Sequence, residues 1–169
     1  MAFLLAGGEG TRLGAITNTI PKPLVPFAGK YRLIDFPLSN AVNSGVTRIG
    51  VLVQSDQKSI LDYIGKGTSW GFRNPGDTFL RLPSRSRFGN NGDYRGTADA
   101  VRRNLKLIKH DPSIETVLIL SADHVYKMDY NKLLWFHRRN GADVTVAVSQ
   151  VDSNDTHKFG IVHRDNQYR

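Results

Sequence analysis

Phe3-Leu-Leu-Ala-Gly-Gly-Glu-Gly-Thr-Arg-Leu-Gly14 decides how the rest of the chain is read. Phe3, Leu4, Leu5 and Ala6 form an unbroken apolar run that stops at glycines, the pattern of a strand buried on both faces of a parallel sheet. Gly7, Gly8 and Gly10 lack Cβ atoms, so the turn after that strand can take positive φ and aim consecutive N–H groups at one bulky anion, with Arg12 adding a charged fork. That is the chemistry of a phosphate cradle, and the same glycines also suit a tight strand-to-helix turn with no ligand. Two common phosphate motifs do not fit. A P-loop needs Lys-Ser/Thr after its last glycine, where this chain has Thr11-Arg12. The dinucleotide fingerprint needs a third glycine, where this chain has Leu13.

The pattern extends outward in alternating elements. Pro21-Lys22-Pro23-Leu24-Val25-Pro26 is expected to run extended and to hold Lys22 on a stiff segment, as a phosphate partner or as a solvated surface lysine. Pro37 suits the first turn of a helix with Leu38, Ala41 and Val42 on one face and Gly45 as its stop. Arg48–Gln54 reads as a second buried strand, which makes a right-handed strand–helix–strand unit whose crevice lies at the carboxyl ends of the strands. Gln54 lies at such an end.

A short helix over Ser59–Ile64 closes at Gly65 and Gly67. Thr68–Tyr94 keeps no strong period and reads as a long surface excursion. From Gly96, Ala98, Val101, Leu105 and Ile108 form a helical apolar stripe, with Arg102, Arg103, Lys106 and Lys109 on a solvated face. Val117–Ala122 is a third buried strand ending in Asp123-His124. A carboxylate there points toward the cradle's crevice, where Mg²⁺ bridging phosphates needs an oxygen ligand; a turn or helix cap is the other role open to it. Asp129 can cap a helix ending at Asn140-Gly141, with His137 packed on its apolar side. Asp143–Val151 and Phe159–Val162 read as fourth and fifth strands, and Asp165-Asn166 as a hairpin turn whose return strand begins at Gln167.

At 169 residues the composition suits one α/β domain. The absence of cysteine removes disulfides, thiolate metal sites and cysteine nucleophiles, and fits a reducing compartment. No basic leader or membrane-length apolar run is present, so a cytoplasmic location and no membrane partner are expected. The formal net charge of +8 favours anionic partners. The basic helical cluster has no interleaved aromatic residues and no DNA-recognition helix is apparent, so small phosphorylated substrates are expected rather than nucleic acid.

Four motifs then occur in order: Leu5-Ala-Gly-Gly-Glu-Gly-Thr-Arg-Leu13; Lys22-Pro23 leading to Gly29-Lys-Tyr-Arg-Leu-Ile-Asp-Phe36 and Leu38-Ser-Asn40; Tyr94-Arg-Gly-Thr-Ala-Asp-Ala-Val101; and Asp123-His-Val-Tyr-Lys127. In this combination the chain resembles the sugar-nucleotide pyrophosphorylases, a nucleotidyltransferase family, and the second and third motifs point to its adenylyl-transferring branch. The resemblance implies a Rossmann-like mixed, mostly parallel sheet flanked by helices, the nucleotide-diphospho-sugar transferase fold. It implies transfer of an adenylyl group from ATP to glucose 1-phosphate in glycogen biosynthesis, with Mg²⁺ as cofactor and a full-length homotetramer or hetero-oligomer.

By the same resemblance, Gly7, Gly8, Gly10, Thr11 and Arg12 form the triphosphate signature, and Lys22 helps neutralise the phosphates. Gln54, Gly96 and Thr97 contact nucleotide, Tyr94 and Gly160 lie near the sugar phosphate, and Asp123 ligates the metal. Arg12, Lys22 and Asp123 form the catalytic set. Two positions depart from the family pattern: Ala122 replaces a usual glycine before Asp123, and Asp93 stands where some members carry a tryptophan tied to effector response. The family's sugar-phosphate Glu-Lys-Pro segment, second metal aspartate and C-terminal β-helix would follow Arg169. The chain is therefore expected to be a partial N-terminal catalytic domain, over residues 1–169, that binds nucleotide without turnover. A regulatory subunit of the same enzyme and a transferase using another nucleoside triphosphate remain the alternatives.

Overall fold

The computed structural model describes every residue except 8–13, 15, 18, 55–57, 85–91, 164 and 166–169. It divides into two compact units, Met1–Tyr130 and Asn131–Arg169.

The first unit is built on a four-stranded parallel sheet in the order β5-β4-β1-β6. β1 (Ala2–Leu5) is central because its apolar run can be covered on both faces, and Ala2, Phe3 and Leu4 are fully buried. It pairs with β4 (Arg48–Val53) on one side, Leu5 opposite Leu52, and with β6 (Leu118–Ser121) on the other, Leu5 opposite Ser121. Two loop amides continue these ladders beyond the strand ends: Ala6 N donates to Leu52 O, and Ala122 N to Leu5 O. Gly7, Gln54 and Asp123 are thereby carried at adjacent carboxyl ends, as the strand–helix–strand reading expects.

Between β1 and β4 the chain forms a small antiparallel hairpin, β2 (Pro26–Phe27) and β3 (Tyr31–Arg32), and then helix α1 (Asp35–Asn43). Pro37 lies in the first turn of α1, Leu38 and Ala41 are buried, and Gly45 at φ 71° ends it. α2 (Lys58–Ile64) buries Ile60 and Ile64. α3 (Thr97–Asn104) and α4 (Lys106–Lys109) follow, and α5 begins at Tyr130 and runs to Arg139. No described helix is long and apolar enough to cross a membrane.

Four expectations change. Pro21–Pro26 is not simply extended: Lys22–Leu24 forms a 3₁₀ turn, whose two bonds use the amides of Leu24 and Val25, which are not prolines. The excursion after Thr68 contains a strand, β5 (Thr78–Pro83), parallel to β4 with Val51 opposite Arg81 and Val53 opposite Pro83. It is an edge strand, where a charged residue and a terminal proline are tolerated. The helix after Gly96 breaks at Leu105, and its inward stripe passes through buried Ala100 and half-buried Val101, Leu107 and Ile108, while Ala98 is exposed.

The last change concerns the second unit. Neither Asp143–Val151 nor Phe159–Val162 forms a strand among the described residues. Alternating apolar residues become a strand only when a neighbouring chain completes the ladder, and Val144, Val146 and Val148 are instead exposed. Between those two stretches lies a 3₁₀ helix, Ser153–Lys158, with Asp152 accepting from Asn154 N. His137 Nδ1 lies 2.9 Å from Thr145 Oγ1. The return strand expected at Gln167 lies outside the described residues.

Candidate active site

Two clusters meet the carboxyl ends of the strands. The first joins residues 101 positions apart: Lys22 Nζ donates to Asp123 Oδ2 at 2.6 Å. The 3₁₀ turn and the end of β6 present these side chains, each about a quarter exposed (28% and 25%). Ser121 Oγ donates to the other carboxylate oxygen at 2.5 Å. Burial pushes the Asp123 carboxyl up, but the bonds from Lys22 and Ser121, with the charges of Lys22 and His124, outweigh it and hold the group below its ordinary value. Asp123 is therefore a carboxylate at neutral pH. The Ala122 methyl group is buried.

The second cluster lies on the other side of β1. The Gln54 side chain makes a two-bond bridge to the main chain of Tyr94: Tyr94 N donates to Oε1 at 2.8 Å, and Nε2 donates to Tyr94 O at 3.1 Å. A Cβ on Gly7 would lie 3.2 Å from Gln54 Cγ, so the missing side chain at Gly7 is what lets this glutamine lie against the turn. Tyr94 OH donates to Leu82 O and accepts from Asn104 Nδ2. Arg103 stacks 5.6 Å from the Tyr94 ring and donates to Gly92 O and Asp93 O, so it is not part of a solvated basic face. Ser84 Oγ donates to Asp93. Gly96 (φ 154°) and Thr97 open α3 beside this bridge.

Of the residues expected in the site, Lys22 and Asp123 are thus joined, and Gln54 lies against Gly7 and bonds Tyr94, with Gly96 and Thr97 next along the chain. Gly8, Gly10, Thr11 and Arg12 lie outside the described residues. Gly160 is exposed in the second unit. Sequence reasoning passed over Ser121 and Asn40. Ser121 stands two residues before Asp123 and directs a hydroxyl at it. Asn40 carries a readable signal, a polar residue of poor helix propensity on a helix's apolar face beside Leu38 and Ala41.

The donors suit a divalent cation only if a ligand completes its shell. Among the described residues no three His, Cys, Asp or Glu side chains gather into a metal cage. Asp123, however, offers a carboxylate already facing a cation, the Lys22 ammonium. Mg²⁺ is commonly held by one or two carboxylates together with substrate phosphates and water, so Asp123 fits as the protein's share of such a shell.

A family model described as nucleotidyl transferase matches residues 1–169. The chain belongs to the nucleotidyl transferase family. Its curated relatives include the glucose-1-phosphate adenylyltransferases of Clostridium botulinum, 46% identical over 96% of this chain and 42% of the relative, and of Clostridium perfringens, 46% identical over the same shares. That of Methylobacillus flagellatus is 47% identical over all of this chain and 39% of the relative. This nucleotidyl transferase chain therefore spans about two-fifths of the length of those relatives. The parallel sheet flanked by helices is the α/β architecture expected for the family.

Proposed function

We propose that this chain is the N-terminal, nucleotide-binding part of a glucose-1-phosphate adenylyltransferase, working in the cytoplasm as part of a larger oligomer in glycogen biosynthesis. The Lys22–Asp123 pair, with Asp123 following the strand that neighbours β1, supports the reading: a flexible cation and a fixed carboxylate are the groups a metal-bound triphosphate needs. A phosphate oxygen of glucose 1-phosphate attacks the α-phosphorus of ATP; the new O–P bond forms as the bond to the β-phosphate oxygen breaks, giving ADP-glucose and pyrophosphate. Such a transfer needs little covalent help, so positioning and charge supply the catalysis.

Gly7 to Arg12 cradle the triphosphate with main-chain amides. Lys22 turns from Asp123 toward phosphate oxygens and balances the charge of the leaving pyrophosphate. Asp123 would hold Mg²⁺, which when bound would supply positive charge against the phosphoryl oxygens. Gln54, between Gly7 and the main chain of Tyr94, steadies the segment leading to Gly96 and Thr97, which receives the nucleoside.

Binding to the purified chain tests this. In thermal melts with Mg²⁺ and each of ATP, UTP, GTP and dTTP, ATP should stabilise most, by about 2.7 kcal/mol at a hundredfold excess over its dissociation constant. Lys22→Ala should abolish the effect. Equal stabilisation by all four, or an unchanged response in Lys22→Ala, refutes adenylyl specificity or the role of the lysine respectively. For the acceptor, this chain can replace the matching segment of the Clostridium perfringens relative; absence of ADP-glucose from a folded chimera refutes the reaction.

A further inference from the structure

Asparagine is a poor residue for a helix interior, yet Asn40 sits in the middle of α1 and is 7% exposed. Its amide is used in both directions on a segment 86 or more residues later: Nδ2 donates to Tyr126 O at 2.9 Å, and Oδ1 accepts from Met128 N at 3.3 Å. One helical turn further, Ser44 Oγ accepts from Tyr130 N at 2.8 Å. Residues four apart share a helix face, so this face of α1 satisfies main-chain groups of Tyr126–Tyr130 that no strand satisfies. Upstream, Ala122 N is fixed to Leu5 O. Asp123, His124 and Val125 are thus a three-residue span between a sheet anchor and an Asn40 anchor.

The other end of α1 governs Lys22. Ile34, immediately before the helix, donates its N–H to Pro23 O at 2.9 Å, which ties the 3₁₀ turn carrying Lys22 to the helix start. One rigid helix therefore holds the supports of both charged groups.

We propose that Asn40 is a positioning residue: through Tyr126 it sets where the Asp123 carboxylate stands relative to Lys22, and so sets the affinity for a triphosphate with its divalent cation. The inference rests on the nucleotide reading above. No smaller or apolar side chain satisfies both Tyr126 O and Met128 N, and aspartate keeps the acceptor but loses the donor. Ser44 provides the contrast, since its bond falls at Tyr130, beyond the Asn40 anchor.

The test uses the full chain and its Asn40→Ala, Asn40→Asp and Ser44→Ala variants, with Mn²⁺·ATP affinity by calorimetry well below the melting temperature and amide exchange followed by mass spectrometry. Supporting residues around metal ligands are commonly worth about 10- to 100-fold in metal affinity, so Asn40→Ala should weaken binding at least about tenfold and speed exchange at Asp123–Tyr126. Asn40→Asp, which keeps the fold's volume, should fall between. Ser44→Ala should lose comparable thermal stability while its affinity stays within about twofold of the parent. Unchanged affinity in Asn40→Ala, or affinity falling in step with stability in both Asn40→Ala and Ser44→Ala, overturns the proposal. If the parent chain binds no Mn²⁺·ATP, the nucleotide reading fails and exchange decides alone. Faster exchange at Asp123–Tyr126 in Asn40→Ala but not in Ser44→Ala then sustains the positioning role, and any other pattern ends it.

Discussion

Replacing Lys22 with methionine removes the ammonium from Asp123 while keeping the length of the side chain. At an effective dielectric constant near 20, two unit charges about 4 Å apart attract by about 4 kcal/mol before desolvation is subtracted. Fully exposed pairs retain about 0.2–1 kcal/mol of this, and breaking a fully buried pair costs about 3–5 kcal/mol. With both side chains about a quarter exposed and a 2.6 Å contact, Lys22→Met should cost about 1.5 kcal/mol, a melting shift of about 3–6 °C for a chain of this size. Asp123→Asn combined with Lys22→Met should recover most of the loss, because no uncompensated charge is then left in the site.

The pH arm has a definite sign. Asp123 is held below its ordinary 3.8, so its contribution is fully present above that value and is lost as pH falls through the lower folded value. In urea titrations without nucleotide, the gap between parent and Lys22→Met should be constant from about pH 7 to 5 and close below about pH 4. A gap that persists unchanged in acid, or a double variant as unstable as the sum of the singles, would refute the ion-pair account.

Gly67 stands at φ 81° with its absent Cβ position 2.5 Å from Phe79 Cγ, so Gly67→Ala should destabilise by about 2–3 kcal/mol in urea melts. Ala28 is the reverse case, a non-glycine residue at φ 51° in the hairpin turn; Ala28→Gly should raise stability by up to about 0.5 kcal/mol, and a clear loss would show that the turn is held by something other than backbone preference. Gln54→Ala removes both bonds to Tyr94 and should cost about 1–2 kcal/mol, with faster amide exchange at Tyr94 as the direct readout.

What could be read in advance follows from how local each signal is. β1 and β4 announce themselves because central parallel strands are continuous apolar runs, and α1 because Pro37 and Gly45 bracket an apolar face. β5 was hidden by its position: an edge strand keeps Arg81 and Pro83, which in sequence look like loop. The valines after Asp143 misled in the other direction, since alternation states a capacity to pair and not the presence of a partner. For the candidate site, strand-end location pointed to Asp123 and a stiff proline-flanked segment to Lys22, and the structure joins the two in an ion pair. The Gln54–Tyr94 bridge and the Asn40 anchor were not legible as such, because each is a side chain satisfying main-chain groups 40 or more residues away, and nothing local marks the recipient.

The central place of β1 has a consequence for how the chain is made. Ala2 pairs with Ile49 and Leu118, 47 and 116 positions later, so the innermost strand is synthesised long before either neighbour. At about 5–20 residues per second, a ribosome delivers Ile49 about 2–9 s and Leu118 about 6–23 s after Ala2, so β1 first lacks both neighbours and then lacks one. Lys22 must likewise wait for Asp123. The charged pair is thus a late product of folding, assembled only when the last strand of the sheet is in hand, and any pause in translation before β6 leaves one edge of β1 unpaired.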